Sequence, residues 1–466
     1  MSRRGQQGVA RTHRVGTLAR RRRAGAAGFT LIELTVSLIA GLIVAMGIVT
    51  LSKSSTQTFH EEMRSSAAEA NLRTAADRLR ADLGRAGFMS TPNIASDPVI
   101  AKPLNIAGDP APVAFNGLRS LASIQLTTGG SVTNNGLPLS GTNGLTPDLI
   151  RIGGNMTTTD LYPAHLQPAG GGGGCQRIDL DANSPALYRL IGASAQAAQD
   201  FNNAFQPAPN GVFMIRVVDA ALRTQYVATC PGMTSALVGG PGAWVASIYV
   251  AAGTPVLTSD VIPTSVITPI TQIWVNPVQI VQWEIMPATA EPAAYGASPL
   301  AGQPLTPAIA DPAKYDLVRS FVDAQSGNVL PGTSEIVAEY AVDLRFSFSV
   351  ETGTAVLPQI VTYSFDDDAD NALWAQDVFV QPFPAIQGPQ RIRSVSARLA
   401  TRASQADRTL NIAAPTIGGT LPSFLYRYCV VGAGCDPTNT AGALQYARMR
   451  TMTTEVSMPN QSTSFY

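Results

Sequence analysis

Glu33 is the one ionisable side chain in the 23-residue run from Phe29 to Leu51, FTLIELTVSLIAGLIVAMGIVTL. A charged group at the centre of a membrane helix costs about 2.5–3.5 kcal/mol on insertion scales, so an acid in such a run is a functional candidate by default. Near the helix end the cost is lower, and a tolerated interfacial carboxylate is the plain alternative. The chemistry open to Glu33 is charge pairing, which needs a cation at the same depth. Cleavage of the chain after Gly28 would create one, the amino group of Phe29.

Other residue clusters point to weaker chemistry. Asp366, Asp367, Asp368 and Asp370 fall within the seven residues Phe365-Asp366-Asp367-Asp368-Ala369-Asp370-Asn371. Hard oxygen donors so close together suit calcium. The run lacks the glycine and the distant glutamate of an EF-hand loop, so a solvated acidic turn is the plainer reading. Four cysteines, Cys175, Cys230, Cys429 and Cys435, form an even set that can close two disulfides in three ways in an oxidising compartment. The short loop between Cys429 and Cys435 suits a local clasp, which leaves Cys175 for Cys230; free thiols are the alternative. No CxxC spacing suggests zinc or redox work. The only histidines are His13, His60 and His165, and no HExxH, GxSxG or Ser/His/Asp pattern occurs. The five glycines Gly170 to Gly174 are followed by no Lys-Ser/Thr and read as a loop, not a phosphate cradle. No enzyme and no resident cofactor are expected.

Charge and hydropathy say what must position Glu33. Residues 1–28 carry eight arginines and no acid, and a formal net charge of zero over the whole chain therefore leaves −8 for the rest. Only 14% of residues are charged, which argues against a nucleic-acid protein with a basic face. At 1.5 Å per residue the run from Phe29 to Leu51 makes a helix of about 35 Å, enough to cross a bilayer core. The positive-inside bias keeps the arginines in the cytoplasm and sends residues from Lys53 onward across the membrane. A secretory signal has its small-residue cleavage site beyond the apolar run. Here Ala24-Gly25-Ala26-Ala27-Gly28 precede it. An uncleaved anchor would explain the arginines and the hydropathy, but not Glu33.

Beyond Leu51 the apolar residues Phe59, Met63, Ala67, Ala70, Leu72, Ala76, Leu79 and Leu83 recur at spacings of three and four with one of two, an amphipathic pattern. Glu61, Arg64, Glu69, Arg73, Asp77, Arg78 and Arg80 are expected to face solvent. Gly84 and Gly87 are candidate helix ends. One helix of about 55 residues is thus predicted, its stripe packing on the chain's own globular part. Later residues favour short strands bounded by turns: 123–127, 148–152, 186–191, 212–218, 243–250, 278–285, 315–322 and 336–350. Asp343-Leu344-Arg345-Phe346-Ser347-Phe348 alternates as a sheet with one buried face requires.

Gly28-Phe29-Thr30-Leu31-Ile32-Glu33-Leu34 resembles the class III signal of type IV pilins and type II secretion pseudopilins. Ala75 to Leu83, Trp283-Glu284-Ile285, Asp316-Leu317-Val318-Arg319, Glu339 to Leu344, Arg391 to Leu399 and Arg450 to Val456 are similar to the helix end and head of PilW-type minor pilins. The loose likeness covers about half the chain and leaves residues 91–275 without a counterpart. It implies processing at Gly28, an N-methylated Phe29, and Glu33 neutralising the amino terminus of a neighbouring subunit during assembly. The implied fold is α+β: a long N-terminal helix packed on a β-rich head with a large insertion. The implied segments are a cleaved leader, 1–28; a membrane helix, 29–51; its amphipathic continuation, 52–87; and head regions 88–275 and 276–466.

The implied function is that of an assembly-priming minor pilin near a filament tip. The implied partners are other minor pilins, the major pilin, a tip adhesin, the prepilin peptidase and the inner-membrane assembly machinery, with no nucleic acid. The expected location is the bacterial inner membrane with the head in the periplasm, then the surface pilus. The rival readings are a J-type secretion pseudopilin, and a module in which residues 91–275 bind a surface ligand that the helix displays.

Overall fold

The computed structural model describes residues 30–97, 100, 116–131, 143, 145–167, 175–192, 196–208, 211–219, 222, 224–230, 235–239, 244–250, 272–287, 314–353, 357–375, 388–406, 427–430 and 446–461. The chain divides into two units, residues 1–60 and 61–466. A single helix, α1 (Leu31–Gly84, 54 residues), runs through both, close to the predicted length. In the first unit every described residue, Thr30 to His60, is exposed. This part of α1 is long and apolar enough to cross a membrane.

In the second unit α1 buries Ala68, Leu72, Ala75, Ala76, Leu79, Asp82 and Leu83. The predicted stripe holds from Leu72 onward and fails before it. Ala67 and Ala70 are exposed, as are Phe59 and Met63 at 59% and 54%. Positions 68, 72, 75, 79 and 83 keep one 3.6-residue face, and the two-residue step from Ala70 to Leu72 crosses to it from another. The helix stops at Gly84, and Gly87 takes φ +69° with its N–H donating to Gly153 O at 2.8 Å. Gly154 passes so close to Arg85 O that a Cβ there would collide with it.

Among the described residues the remaining α-helices are short: α2 (Asn116–Arg119), α3 (Pro185–Ile191), α4 (Ala197–Phe205) and α5 (Asp368–Trp374). Residues 186–191, expected as a strand, belong to α3. Ser184 Oγ accepts the Leu187 N–H at 3.2 Å as N-cap, and Pro185 occupies the first turn.

The strands are β1 (Ile124–Thr127), β2 (Leu149–Gly154), β3 (Tyr162–Leu166), β4 (Gln176–Leu180), β5 (Met214–Val218), β6 (Thr224–Ala228), β7 (Ser235–Val238), β8 (Val245–Val250), β9 (Gln272–Pro287), β10 (Tyr315–Val322), β11 (Glu335–Ala338), β12 (Ala341–Glu351), β13 (Ile360–Thr362), β14 (Ile392–Arg402), β15 (Arg427–Cys429) and β16 (Tyr446–Ser457). The expected run 336–350 is therefore two strands. Tyr340 breaks it with φ +57°, held by its N–H donating to buried Asp316 Oδ1 at 2.9 Å.

β1 to β11 form an 11-stranded sheet, and β13-β12-β14-β16-β15 form a second sheet of five. Every pair of strands is antiparallel. The 16-residue β9 is the spine of the larger sheet. Its first half pairs with β3 and β5, its second half with β2 and β10. The division expected at 275/276 falls inside this strand, so β1 to β8 share one sheet with β9 to β11. Cys175 and Cys230 form the predicted disulfide.

One core joins α1 to both sheets: Leu72, Leu79 and Leu83 lie with Ile150, Val281, Trp283, Leu317, Leu344 and Leu399. In its midst sits a charge. Asp82 Oδ2 accepts from Arg319 Nε at 2.6 Å and from Trp283 Nε1 at 3.0 Å, and all three residues are buried. Trp283 and Arg319 are cross-strand partners on β9 and β10. Breaking a buried pair from one side strands the other charge and costs about 3–5 kcal/mol, whereas replacing both sides by apolar groups costs far less. Asp82→Ala is therefore expected to lower unfolding free energy by about 3–5 kcal/mol, and Asp82→Leu with Arg319→Met by much less, read by denaturant unfolding of the full chain in uncharged detergent.

Candidate functional site

The first turn of α1 carries Glu33. The first four N–H groups of any α-helix have no partner within it, and a side-chain oxygen placed there satisfies one of them. Thr30 and Glu33 do this reciprocally. Glu33 N–H donates to Thr30 Oγ1 at 3.3 Å, while Glu33 Oε2 accepts from Thr30 N and from Thr30 Oγ1, both at 3.0 Å. This is a capping box, and its Thr-x-x-Glu signature stands in the sequence. Charge reasoning alone passed over it.

The box pins one carboxylate oxygen and leaves Oε1 with no partner among the described residues. Glu33 can thus close its own helix start and still present an anionic oxygen to a second group. Gly28 and Phe29, the expected processing site, lie outside the described residues, as does the five-glycine run 170–174.

The acidic run is tied into the second sheet. Asp368 and Asp370 occupy the first turn of α5, where carboxylates complement the helix dipole, and Asp367 is at the N-cap position. Asp368 Oδ1 pairs with buried Arg345, whose Nη2 also donates to Phe365 O at 2.6 Å and whose Nη1 donates to Thr146 Oγ1 at 2.5 Å. No group of three or more His, Cys, Asp or Glu among the described residues is arranged to hold a metal ion. The carboxylates spread along a turn and a helix, and one of them is committed to a guanidinium.

Behind that arginine is a second acid that sequence reading missed. Asp148 is 1% exposed, its Oδ2 lies 3.7 Å from Arg345 Nε, and it accepts N–H bonds from Gly129 at 3.1 Å and Phe346 at 3.2 Å. Burial pushes its carboxyl up to about 7, against the pull of Arg345 and the two N–H groups and with a small push from Asp368. Only its place at the head of the expected strand 148–152 marked it beforehand.

Cys230 and Cys175 are both buried; Cys429 closes β15 and none of the described cysteines is a free thiol. Cys435 lies outside the described residues. His60 is an exposed residue of α1, and His165 is half-buried on β3.

No protein-family model, no curated protein and no solved structure matches the chain.

A carboxyl that holds its proton longer folded than unfolded stabilises the fold at low pH. Between the ordinary carboxylate range and pH 7 the folded state binds more protons, so stability falls as pH rises through that window. Asp148 alone is expected to contribute at most about 1.4 kcal/mol per pH unit there. Unfolding curves for wild type and Asp148→Asn across pH 4–8 read it as a fall in stability that is steeper in the wild type than in the variant, with the difference growing towards pH 7.

Proposed function

We propose that this chain is a pilin-like subunit, specifically a minor pilin that primes or caps a type IV pilus. One observation carries the reading: a continuous helix whose first 30 residues, Leu31 to His60, are exposed, whose apolar part holds a single carboxylate, and whose last turns are buried in a β-rich head. A helix apolar on all sides is a membrane span or the interior of a larger assembly. A minor pilin needs both at different times.

In this reading the arginines of residues 1–28 hold the leader in the cytoplasm and the head enters the periplasm. Cleavage after Gly28 supplies the amine of Phe29. In a low-dielectric helix bundle that amine seeks an anion, and two opposite charges at contact attract far more strongly there than in water. Glu33 Oε1 of a neighbouring subunit is the group on offer. Other minor pilins, the major pilin, a tip adhesin and the membrane assembly machinery are the partners this implies. The prepilin peptidase is the processing enzyme it implies.

Mass spectrometry of the mature amino terminus is expected to find N-methyl-Phe29. An intact leader would sink the pilin reading. Recovery with a secretion pseudopilus in place of pili would move the chain to the J-type pseudopilins.

The capping box separates two roles for Glu33. Glutamine preserves the cap and removes the charge, whereas alanine removes both. Glu33→Gln is expected to insert normally, keep the helix start and lose about as much filament incorporation as Glu33→Ala, as read by co-purification with sheared pili. Full incorporation of Glu33→Gln would reduce Glu33 to a cap.

A further inference from the structure

The part of the larger sheet made by β3, β4, β8 and the first half of β9 has two unlike faces. One carries Ala164, Ile178, Ile248 and Val275, which share an apolar core with residues of α3 and α4. Residues directly opposite each other in antiparallel strands share a face, and neighbours along a strand alternate. His165, Asp179 and Ser247 stand opposite one another in turn, as do Trp274 and Pro163, and Arg177 and Tyr249. All of these therefore belong to the second face. Apart from buried Ser247 they are half-buried. Towards the sheet edge Val245 and Val238, again opposite each other on this face, are 53% and 65% exposed.

The charges on this face are already balanced. Arg177 Nη2 donates to Asp179 Oδ2 at 2.9 Å, and Ser247 Oγ donates to Asp179 Oδ1 at 2.7 Å. Two nitrogens beside that carboxylate are left over: His165 Nδ1 and Arg177 Nε are shielded from water and have no hydrogen-bond partner. A buried polar atom left so costs about 1–3 kcal/mol, and the great majority in native proteins are paired. Two of them flanking one carboxylate point to a group from outside the chain.

Trp274 supplies an apolar surface. It is the diagonal neighbour of His165 across the β9–β3 pair, about 7–8 Å away, and among the described residues it enters none of the apolar clusters. An ion would need charge to spare, and the Arg177–Asp179 pair has none. A wholly apolar ligand would leave both nitrogens as they are. A pyranose ring meets both demands, with C–H groups on its face for an indole and hydroxyls on its rim that donate and accept. An aromatic surface with a few placed polar groups is the usual make-up of a small-ligand site. We propose that this face of β9, β3 and β4 binds a neutral sugar, Trp274 stacking on the ring and His165, Arg177 and Asp179 taking its hydroxyls. A carboxylate has about four lone-pair sites, so Asp179 can accept a hydroxyl without giving up Arg177 or Ser247. The site uses residues of the second unit alone and goes beyond the pilin reading, which does not require it.

The test titrates the full chain, in a polyoxyethylene detergent that carries no sugar, with lactose, maltotriose, mannotriose and chitotriose to millimolar concentration, following the heat of binding. Trp274→Ala and His165→Ala are the decisive variants. Tyr188→Ala, which removes an exposed aromatic of α3, is the control. Saturable binding of at least one sugar, weakened about tenfold or more in Trp274→Ala and about threefold or more in His165→Ala but unchanged in Tyr188→Ala, supports the site. No saturable binding of any of the four, or an affinity unchanged in Trp274→Ala, overturns it. If Trp274→Ala does not fold, an affinity unchanged in His165→Ala overturns it equally.

Discussion

The contact on which the second unit depends is one carboxylate in the middle of an apolar core. Asp82 sits on the buried face of α1 between Leu79 and Leu83, and it is gripped by two residues directly opposite each other on neighbouring strands, Trp283 and Arg319. Apolar packing is tolerant of sliding, because a leucine fits about as well one turn away. A charge with a single fork to meet is not. The Asp82 pair therefore fixes the rotation and the axial position of the helix on the sheet, which the leucines alone would leave loose. Buried ion pairs add little net stability, and register is the best-attested use for them.

Much of this was legible in the sequence, for a physical reason. Helix and strand periods are local, so the long helix, its end at Gly84 and strands such as Tyr315–Val322 can be read from spacing alone. What could not be read is what pairs across distance. Asp82 and Arg319 are 237 residues apart, and nothing near either says which arginine meets which aspartate. The residues 186–191 illustrate a different failure. Their Ala-Leu-Tyr-Arg-Leu-Ile composition suits a strand, while the helix start signal is in the two residues before them, Ser184 and Pro185. Composition favours the strand, and the cap decides for the helix.

In the first turn of α1, too, a cap lies beside the more conspicuous signal. Reading Glu33 only as a charge in an apolar run makes it a group in need of a partner. Reading it with Thr30 makes it a group already partly satisfied at home. The two descriptions are compatible because a carboxylate has two oxygens and the cap uses one. The first turn of any helix has N–H groups with no partner inside it, and an acid at that spot satisfies the helix end whatever else it does.

The spine strand β9 has a mechanical meaning. It is paired along both halves, with β3 and β5 on one stretch and β2 and β10 on the other. Load arriving along α1 through Asp82 is received at once by β9 and β10, neither of them alone at a sheet edge. To tear the helix from the head, a pull would have to part hydrogen-bonded strands together or extract a buried ion pair, not unzip one exposed strand bond by bond.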